Sequence, residues 1–357
     1  MKVMNITVQK TNSPKAKPEN EEGLGFGKIF TDHMFIMDYS VEKGWYDARI
    51  VPYGPLELDP SVSVLHYGQA VFEGLKAYRT PQGDIQLFRP EKNMERINLS
   101  NERLCIPPVD VDFCVKAIKT FVDIERDWVP HSEGTSLYLR PFIFATDPFL
   151  GVHPSYTYKF IIIASPSGQY YPEGINPVKI WVESKYVRAV RGGTGFSKTG
   201  GNYAASLKAQ KEAKEVSYTQ VLWLDGVERK YIEEVGTMNV FFVIDDEIIT
   251  PALQGSILPG ITRMSVIELL RSQGKKVTER AITVEEVYLA HEQGKLSEVF
   301  GTGTAAVISP VGELNWNGKK IIINGNQTGP IAKQTYHYLT GIQNGKIEDK
   351  FNWTQKV

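Results

Sequence analysis

The stretch GGTGFSKTGGNY, residues 192–203, followed by AASLKAQKEAK at 204–214, decides how this chain is read. A glycine loop feeding an Ala-rich helix invites comparison with the phosphate-cradling loop of nucleotide folds, G-x-x-x-x-G-K-[ST]. Gly192, Lys198 and Thr199 fit that pattern, but Ser197 stands where the second glycine belongs. The helix is also expected to begin near Asn202, beyond Lys198. A phosphate-binding lysine stands instead at the helix N-terminus, where backbone donors converge. A second reading makes Lys198 a carbonyl-reactive amine, which needs partial removal from water to lose its proton. Taken alone, the loop favours the bland alternative, since a lysine among glycines is usually solvated.

Outward from this loop, short strand-like runs alternate with helices. LKAYRT (75–80) and DIQLF (84–88) flank Pro81-Gln-Gly83 and predict a hairpin. Helices are expected over Glu91–Leu104, ahead of Pro107-Pro108, and over Asp112–Trp128. SLYLRPFIFA and YKFIIIA read as buried strands, the second central in a sheet. Further strands are expected in VKIWVE, YTQVLWLD and VFFVIDDEIIT, with helices after Pro259-Gly260 and over Val284–Gln293. The Gly/Pro-rich stretch 165–178 is the expected junction between two domains, 1–172 and 173–357. The fold class is α/β (α+β). The first residues, polar and holding Pro14 and Pro18, are expected to form a loose arm.

Composition removes several function classes. With 357 residues, about two domains are the prior. Forty Lys and Arg against 41 Asp and Glu leave a formal charge of −1, which gives no bulk electrostatic reason to bind nucleic acid or an acidic membrane. Two cysteines, Cys105 and Cys114, do not make a disulfide scaffold. The N-terminal stretch has no apolar leader segment, so a cytoplasmic location is expected.

Other motifs carry a choice each. GTGTAA (301–306) imitates a dinucleotide fingerprint, but that fingerprint must open a helix, whereas Val307 to Pro310 reads as extended. What survives is a tight turn of backbone N–H groups and threonine hydroxyls suited to a phosphate or carboxylate. Glu234, in EEVGTMN, is either a turn residue or the partner of a buried cation. In SLYLRPF, Leu137 and Leu139 face one way while Tyr138 and Arg140 face the other, and burying that second face demands an anionic partner for the arginine. His66 and His153 have no metal-ligand spacing, so no metal is expected.

Taken together, these motifs resemble the branched-chain amino acid aminotransferases, in the fold type IV group of pyridoxal-phosphate enzymes. The matching stretches are FGKIFTDHM (26–34), LHYGQAVFEGLKAYR (65–79), LFRPEKNMERI (87–97), GTSLYLRPF (134–142), GFSKTGGNYAASL (195–207), EEVGTMNVFF (233–242), ILPGITR (257–263) and EVFGTGTAAVISPV (298–311). The resemblance implies a smaller N-terminal and a larger C-terminal domain enclosing pyridoxal 5′-phosphate, with 165–178 as a hinge. It implies that Lys198 binds the cofactor covalently and then shuttles the substrate's proton, and that Glu234 faces the pyridine nitrogen. Tyr203 is implied at the ring's phenolic oxygen, and Arg96, Ile261, Thr262 and Thr304 at the phosphate. Phe26, Phe72, Tyr138, Tyr170 and Met238 are implied as substrate walls, with Thr237 and Ala305 at the α-carboxylate. Tyr67 and Val152 match positions that family dimers supply from the neighbouring subunit. Leucine, isoleucine and valine are the implied substrates, with glutamate and 2-oxoglutarate as the other pair. Arg140, assisted by Tyr67, is expected to meet glutamate's second carboxylate. D-amino-acid aminotransferases and aminodeoxychorismate lyases share the lysine and glutamate, but GTSLYLRPF and HYGQAVFEG favour the branched-chain group. The mammalian members carry a redox-active C-x-x-C where Ala306 and Ser309 stand here, so no thiol switch is expected at that place.

Overall fold

In the computed structural model, which describes residues 4–21, 23–168 and 175–357, the apolar runs become the strands of two mixed sheets. The chain separates into two compact units: Met1–Tyr170 with Ser197–Gly200 and Gly341–Val357, and Tyr171–Phe196 with Gly201–Thr340.

The first unit is built on a nine-stranded sheet. Its order runs Thr7–Val8, Gly44–Pro52, His33–Ser40, Thr157–Ser167, Ser136–Ala145, Leu75–Arg79, Ile85–Phe88 and Thr354–Lys356, and Ala70–Phe72 also pairs with Ser136–Ala145. SLYLRPFIFA and YKFIIIA thus lie side by side in mid-sheet, as their apolar runs predict, and the hairpin at 75–88 forms. Strand alternation separates the two faces. Phe35, Met37, Leu137, Leu139, Phe160 and Ile162 point into one core with Met94, Ile97, Ile118 and Phe121 of two helices, Pro90–Arg103 and Val111–Ile124. Each such side chain contributes about 1.5–3 kcal/mol by leaving water. Proline opens the first helix, where no N–H is lost, and Asp110 caps the second by accepting from Phe113 N at 2.8 Å. Arg126–Trp128 is a separate 3-10 turn, so the second helix is shorter than expected.

The arm is tied down rather than loose. Thr7–Val8 pairs in parallel with Arg49–Ile50, Thr11 N donates to His33 Nε2 at 2.9 Å, and Lys15 N donates to Asp32 Oδ1 at 2.7 Å. His33 Nδ1 in turn meets the buried Glu125 carboxylate. Polar composition signals a loop, but it does not reveal that two buried groups on the sheet need its N–H groups as partners.

The second unit carries a sheet in the order Ile232–Val235, Gln220–Leu224, Val178–Glu183, Val307–Trp316, Leu296–Gly303, Asn239–Ile244, Glu247–Thr250 and Lys276–Glu279, with Lys319–Ile322 beside Val307–Trp316. Val178–Glu183 runs parallel to both of its neighbours, and parallel pairing requires a long crossover. The helix Gly200–Glu215 lies in the connection to Gln220–Leu224, and its Ala209 and Ala213 pack on Val221 and Trp223. On the other face Val182, Leu222, Phe242 and Leu314 join Val284, Val287 and Tyr288 of the helix Val284–Glu292. VFFVIDDEIIT forms two strands instead of one, because Asp245 turns the chain at φ 51°.

The C-terminal residues return to the first unit. Thr354–Lys356 pairs with Ile85–Phe88, Arg89 N donates to Trp353 O at 2.7 Å, and the Phe88 and Trp353 rings meet edge-on at 5.6 Å. A single cut between 172 and 173 places this segment in the other domain. Hydrogen bonds of strands distant in sequence decide membership instead. Residues 172 and 173 themselves lie outside the described residues.

One turn sets the strand that bears Glu234. Asp225 accepts N–H bonds from Val227, Glu228, Lys230 and Tyr231 at 2.7–3.1 Å, which fixes the start of Ile232–Val235 opposite Gln220–Leu224. Partial burial raises its pKa, but the four bonds outweigh burial and hold it at about 2. A depressed carboxylate stabilises the fold above its unfolded pKa and loses that contribution as pH falls through the folded value. Asp225→Asn should therefore cost about 1 kcal/mol at neutral pH once solvent screening is allowed for. In urea titrations the gap to wild type should close as pH falls from about 4 towards 2. A gap constant over that range would show that shape, not charge, holds the turn.

Candidate active site

Glu73 organises the candidate site of the first unit. It has no exposed surface, and a carboxylate so buried must be paired. Arg96 meets it with both edges of its fork, Nε to Oε1 at 2.7 Å and Nη2 to Oε2 at 2.8 Å. Asn93 Nδ2 adds a bond at 2.8 Å and Gly74 N one at 3.1 Å. Burial pushes the carboxyl's pKa up, but the charge and hydrogen bonds of Arg96, with the Lys198 charge, outweigh it and hold the group ionised. The spacing Asn93–Arg96 puts both donors on one face of the helix Pro90–Arg103.

Lys198 is placed by its backbone. Phe72 N donates to Lys198 O at 2.9 Å, Lys198 N donates to Ser100 Oγ at 2.8 Å, and Thr199 Oγ1 donates to Ala70 O at 2.8 Å. The loop is thereby laid along the strand Ala70–Phe72, and Lys198 Nζ comes 4.7 Å from the Phe72 ring centre. Beside it the outward face of Ser136–Ala145 gathers four of the expected residues. Arg140 lies over the Phe72 ring at 4.9 Å and the Tyr138 ring at 5.3 Å, Arg140 Nη2 donates to Tyr138 Oη at 3.1 Å, and Phe26 meets Tyr138 edge-on at 4.8 Å. Arg140 Nε is buried without a hydrogen-bond partner among the described residues. Within this chain the hydroxyl bonded to Arg140 is that of Tyr138. Tyr67, the expected assistant, is half exposed and donates to Leu150 O at 2.7 Å, near the 84% exposed Val152.

In the second unit, Glu234 is buried on the strand Ile232–Val235 and pairs with Arg188 at 3.3 Å. Its Oε1 also accepts from Leu258 N at 2.8 Å. Arg188 reaches the carbonyls of Gly195 and Ser256, which ties the loops before Lys198 and before Pro259 to one guanidinium. Glu233, next door, has its pKa raised by burial, against a bond from Ser256 and the Arg188 charge. The helix Ile261–Ser272 opens at Gly260 with no side-chain cap. Asn239 Nδ2 donates to Leu258 O at 2.9 Å, and its Oδ1 fills the space a Cβ on Gly260 would take. Asn239 stands opposite Thr302 in the sheet. Thr302 Oγ1 and Arg188 Nε are buried without partners among the described residues. Uncapped helix N–H groups beside orphaned buried donors fit an anionic group such as a phosphate monoester.

The remaining expected residues are less gathered. Ile261 and Thr262 are buried in the first turn of that helix, and Met238 packs against Gly301 and Gly303. Thr237 is exposed, and Thr304, Ala305 and Tyr203 are half-buried. Tyr170 lies outside the described residues. Sequence reasoning does not single out Glu73, Arg188 or Lys76. Glu73 is detectable as an acid within the apolar run AVFEGL. Lys76, opposite Tyr138 in the ladder, is pushed down to about 8 by burial, a property no local pattern reveals.

Comparison with known proteins agrees with these features. Residues 70–314 match the family described as Amino-transferase class IV. The chain is 60% identical over 352 residues to branched-chain-amino-acid aminotransferase 2 of Bacillus subtilis, covering 99% of this chain and 97% of that protein. It is 56% identical to a probable branched-chain-amino-acid aminotransferase of Staphylococcus aureus strain N315, covering 98% and 97%. Among solved structures, the branched-chain amino acid aminotransferase of Escherichia coli superposes with a TM-score of 0.77 at 29% identity, covering 91% of this chain and 98% of that one. A T.th. branched-chain amino acid aminotransferase with pyridoxamine 5′-phosphate gives 0.75 at 28%, covering 90% and 97%. The chain belongs to the class IV aminotransferases, in their branched-chain-amino-acid group, whose cofactor is pyridoxal 5′-phosphate.

Proposed function

We propose that this aminotransferase interconverts leucine, isoleucine and valine with their 2-oxo acids, with glutamate and 2-oxoglutarate as the other pair. The observation that carries this reading is the aromatic cluster of Phe26, Phe72 and Tyr138 with one guanidinium, Arg140, beside Lys198. Aromatic walls suit an apolar side chain, and Arg140 suits a second carboxylate. The names of the relatives support the substrate class.

Pyridoxal 5′-phosphate supplies, when bound, an electrophilic carbonyl and an electron-withdrawing ring. Lys198 is the residue that holds it covalently. Its Nζ would also take the proton from the substrate's Cα. Glu234, held by Arg188 and Leu258 N, keeps a negative charge for the protonated ring nitrogen. Arg96, Thr304 and the N–H groups of Ile261 and Thr262 hold the phosphate, and Tyr203 the phenolic oxygen. Thr237 and Ala305 orient the α-carboxylate, and Met238 and Tyr170 complete the apolar wall. We further propose a cytoplasmic homodimer in which Tyr67 and Val152 serve the neighbouring copy's site; their exposure and the nearby exposed Leu65, Phe149 and Leu150 support this. The division into an N-terminal and a C-terminal domain remains part of this proposal, with the 165–178 stretch as the hinge.

Lys198→Ala should abolish the visible band and its loss on borohydride reduction. It should also slow the single-turnover reaction with leucine by about a thousandfold or more. A borohydride label that persists on another lysine would remove Lys198 from this role. Arg140→Leu should slow the glutamate half-reaction about tenfold more than the leucine one, and equal losses would count against its assignment. Sedimentation equilibrium should return twice the chain mass, whereas a fully active monomer would exclude a shared site.

A further inference from the structure

A glycine two positions after Phe72 has no backbone reason to be one. Gly74 is absent from the residues with positive φ, so a left-handed backbone is not what calls for glycine there. Space forbids it: a Cβ there would stand 2.0 Å from Tyr138 Oη and 2.9 Å from Cζ. The tyrosine hydroxyl occupies the volume that alanine's methyl would need.

We infer that Gly74 is a specificity-determining position for the dicarboxylate substrate, because its missing side chain seats the hydroxyl that holds Arg140. This rests on the reading of Arg140 given above. The backbone cannot retreat from the clash. Gly74 N is bonded to Glu73 Oε2, Gly74 O accepts from Asn93 Nδ2 at 3.2 Å, Glu73 N donates to Pro141 O at 2.7 Å, and Leu75 is in register with Leu139. Asn93, on the helix, is itself buried and also bonds Glu73, the carboxylate that holds Arg96. Tyr138 is therefore the group that moves. It is half-buried, its hydroxyl is the far end of the side chain, and rotation about χ1 swings that hydroxyl away. What is lost is the 3.1 Å bond to Arg140 Nη2 and the ring under the guanidinium. Phe72 still covers the other contact, so Arg140 stays in place but unaimed. An apolar side chain needs only the walls, whereas a carboxylate needs the guanidinium fixed in direction. Gly74 thus acts as a positioning residue, two contacts removed from the substrate.

The test uses the holoenzyme and follows the leucine and glutamate half-reactions separately by single-turnover absorbance, for Gly74→Ala, Tyr138→Phe, the double variant and Arg140→Leu. Gly74→Ala should lower the glutamate rate constant over apparent Kd about tenfold more than the leucine value, with most of the change in Kd. Tyr138→Phe should shift selectivity the same way, and the double variant should lose no more than the worse single one. General disturbance by the methyl group would instead add to the Tyr138→Phe effect, and additive losses overturn the proposal. Selective loss in Arg140→Leu with equal losses in Gly74→Ala overturns the Gly74 role alone. Unselective Arg140→Leu overturns the Arg140 reading and the Gly74 role with it. If Gly74→Ala does not fold, unchanged selectivity in Tyr138→Phe still refutes the inference, since the hydroxyl is its single agent.

Discussion

A carboxylate with no exposed surface must be matched, and in the first unit that constraint falls on Glu73. Its answer is bidentate pairing with Arg96, reinforced by Asn93 and by the N–H of the next residue. Removing one partner of such a pair typically costs about 3–5 kcal/mol, because the other charge stays buried. The pair joins the helix Pro90–Arg103 to the connection between the strands Ala70–Phe72 and Leu75–Arg79, both of which pair with Ser136–Ala145. Strand position, Lys198 loop and arginine orientation are thereby fixed together: Phe72 N, one residue before Glu73, takes up Lys198 O. The site's hydrogen bonding follows from where one acid is buried.

The second unit repeats the principle with different donors. Glu234 is matched by Arg188 and a backbone N–H. Glu298 is matched by the N–H groups of Ile331 and Ala332 at the start of the helix Pro330–Gln343, where the helix dipole favours a negative charge. The outcomes differ. Burial leaves Glu298 with a raised pKa despite its two bonds, whereas the guanidinium and other donors around Glu73 bring that carboxyl below its ordinary value. A full positive charge outweighs desolvation where two dipolar donors do not. The carboxyl held below its ordinary value is the one whose shift includes the charge of Lys198.

Periodicity made much of this legible. The alternation in SLYLRPF assigned Leu137 and Leu139 to the core and Tyr138 and Arg140 to the opposite face, and the strand does so. Ordered motifs brought Lys198, Phe72 and Arg140 under suspicion together. Partners distant in sequence were not legible. Nothing local in SNER says that Ser100 receives Lys198 N, and nothing in FNWTQKV says that it closes the first sheet beside Ile85–Phe88. Arg188 lies in a loop whose visible features are its glycines, so its link between Gly195, Ser256 and Glu234 emerges when three separate segments are folded together. The arm misread as loose shows the same limit, since its anchors are buried groups of the sheet.

On the role proposed for Arg140, the demand that one cluster accept both an apolar side chain and a dicarboxylate has a physical resolution. A lysine at this position would carry a strongly hydrated point charge and hold water against the apolar ligand. A guanidinium is planar and more weakly hydrated, so it can stay over the Phe72 and Tyr138 rings beside an apolar ligand. With an aliphatic side chain bound, the aromatic faces provide the contact and the stacked cation retains the attraction of the rings. With a carboxylate bound, the same guanidinium offers parallel N–H donors. Neither state requires the arginine to leave its stack, so the choice between substrates turns on how firmly the stack is aimed. That aim is set by a hydroxyl lying where a Cβ is missing.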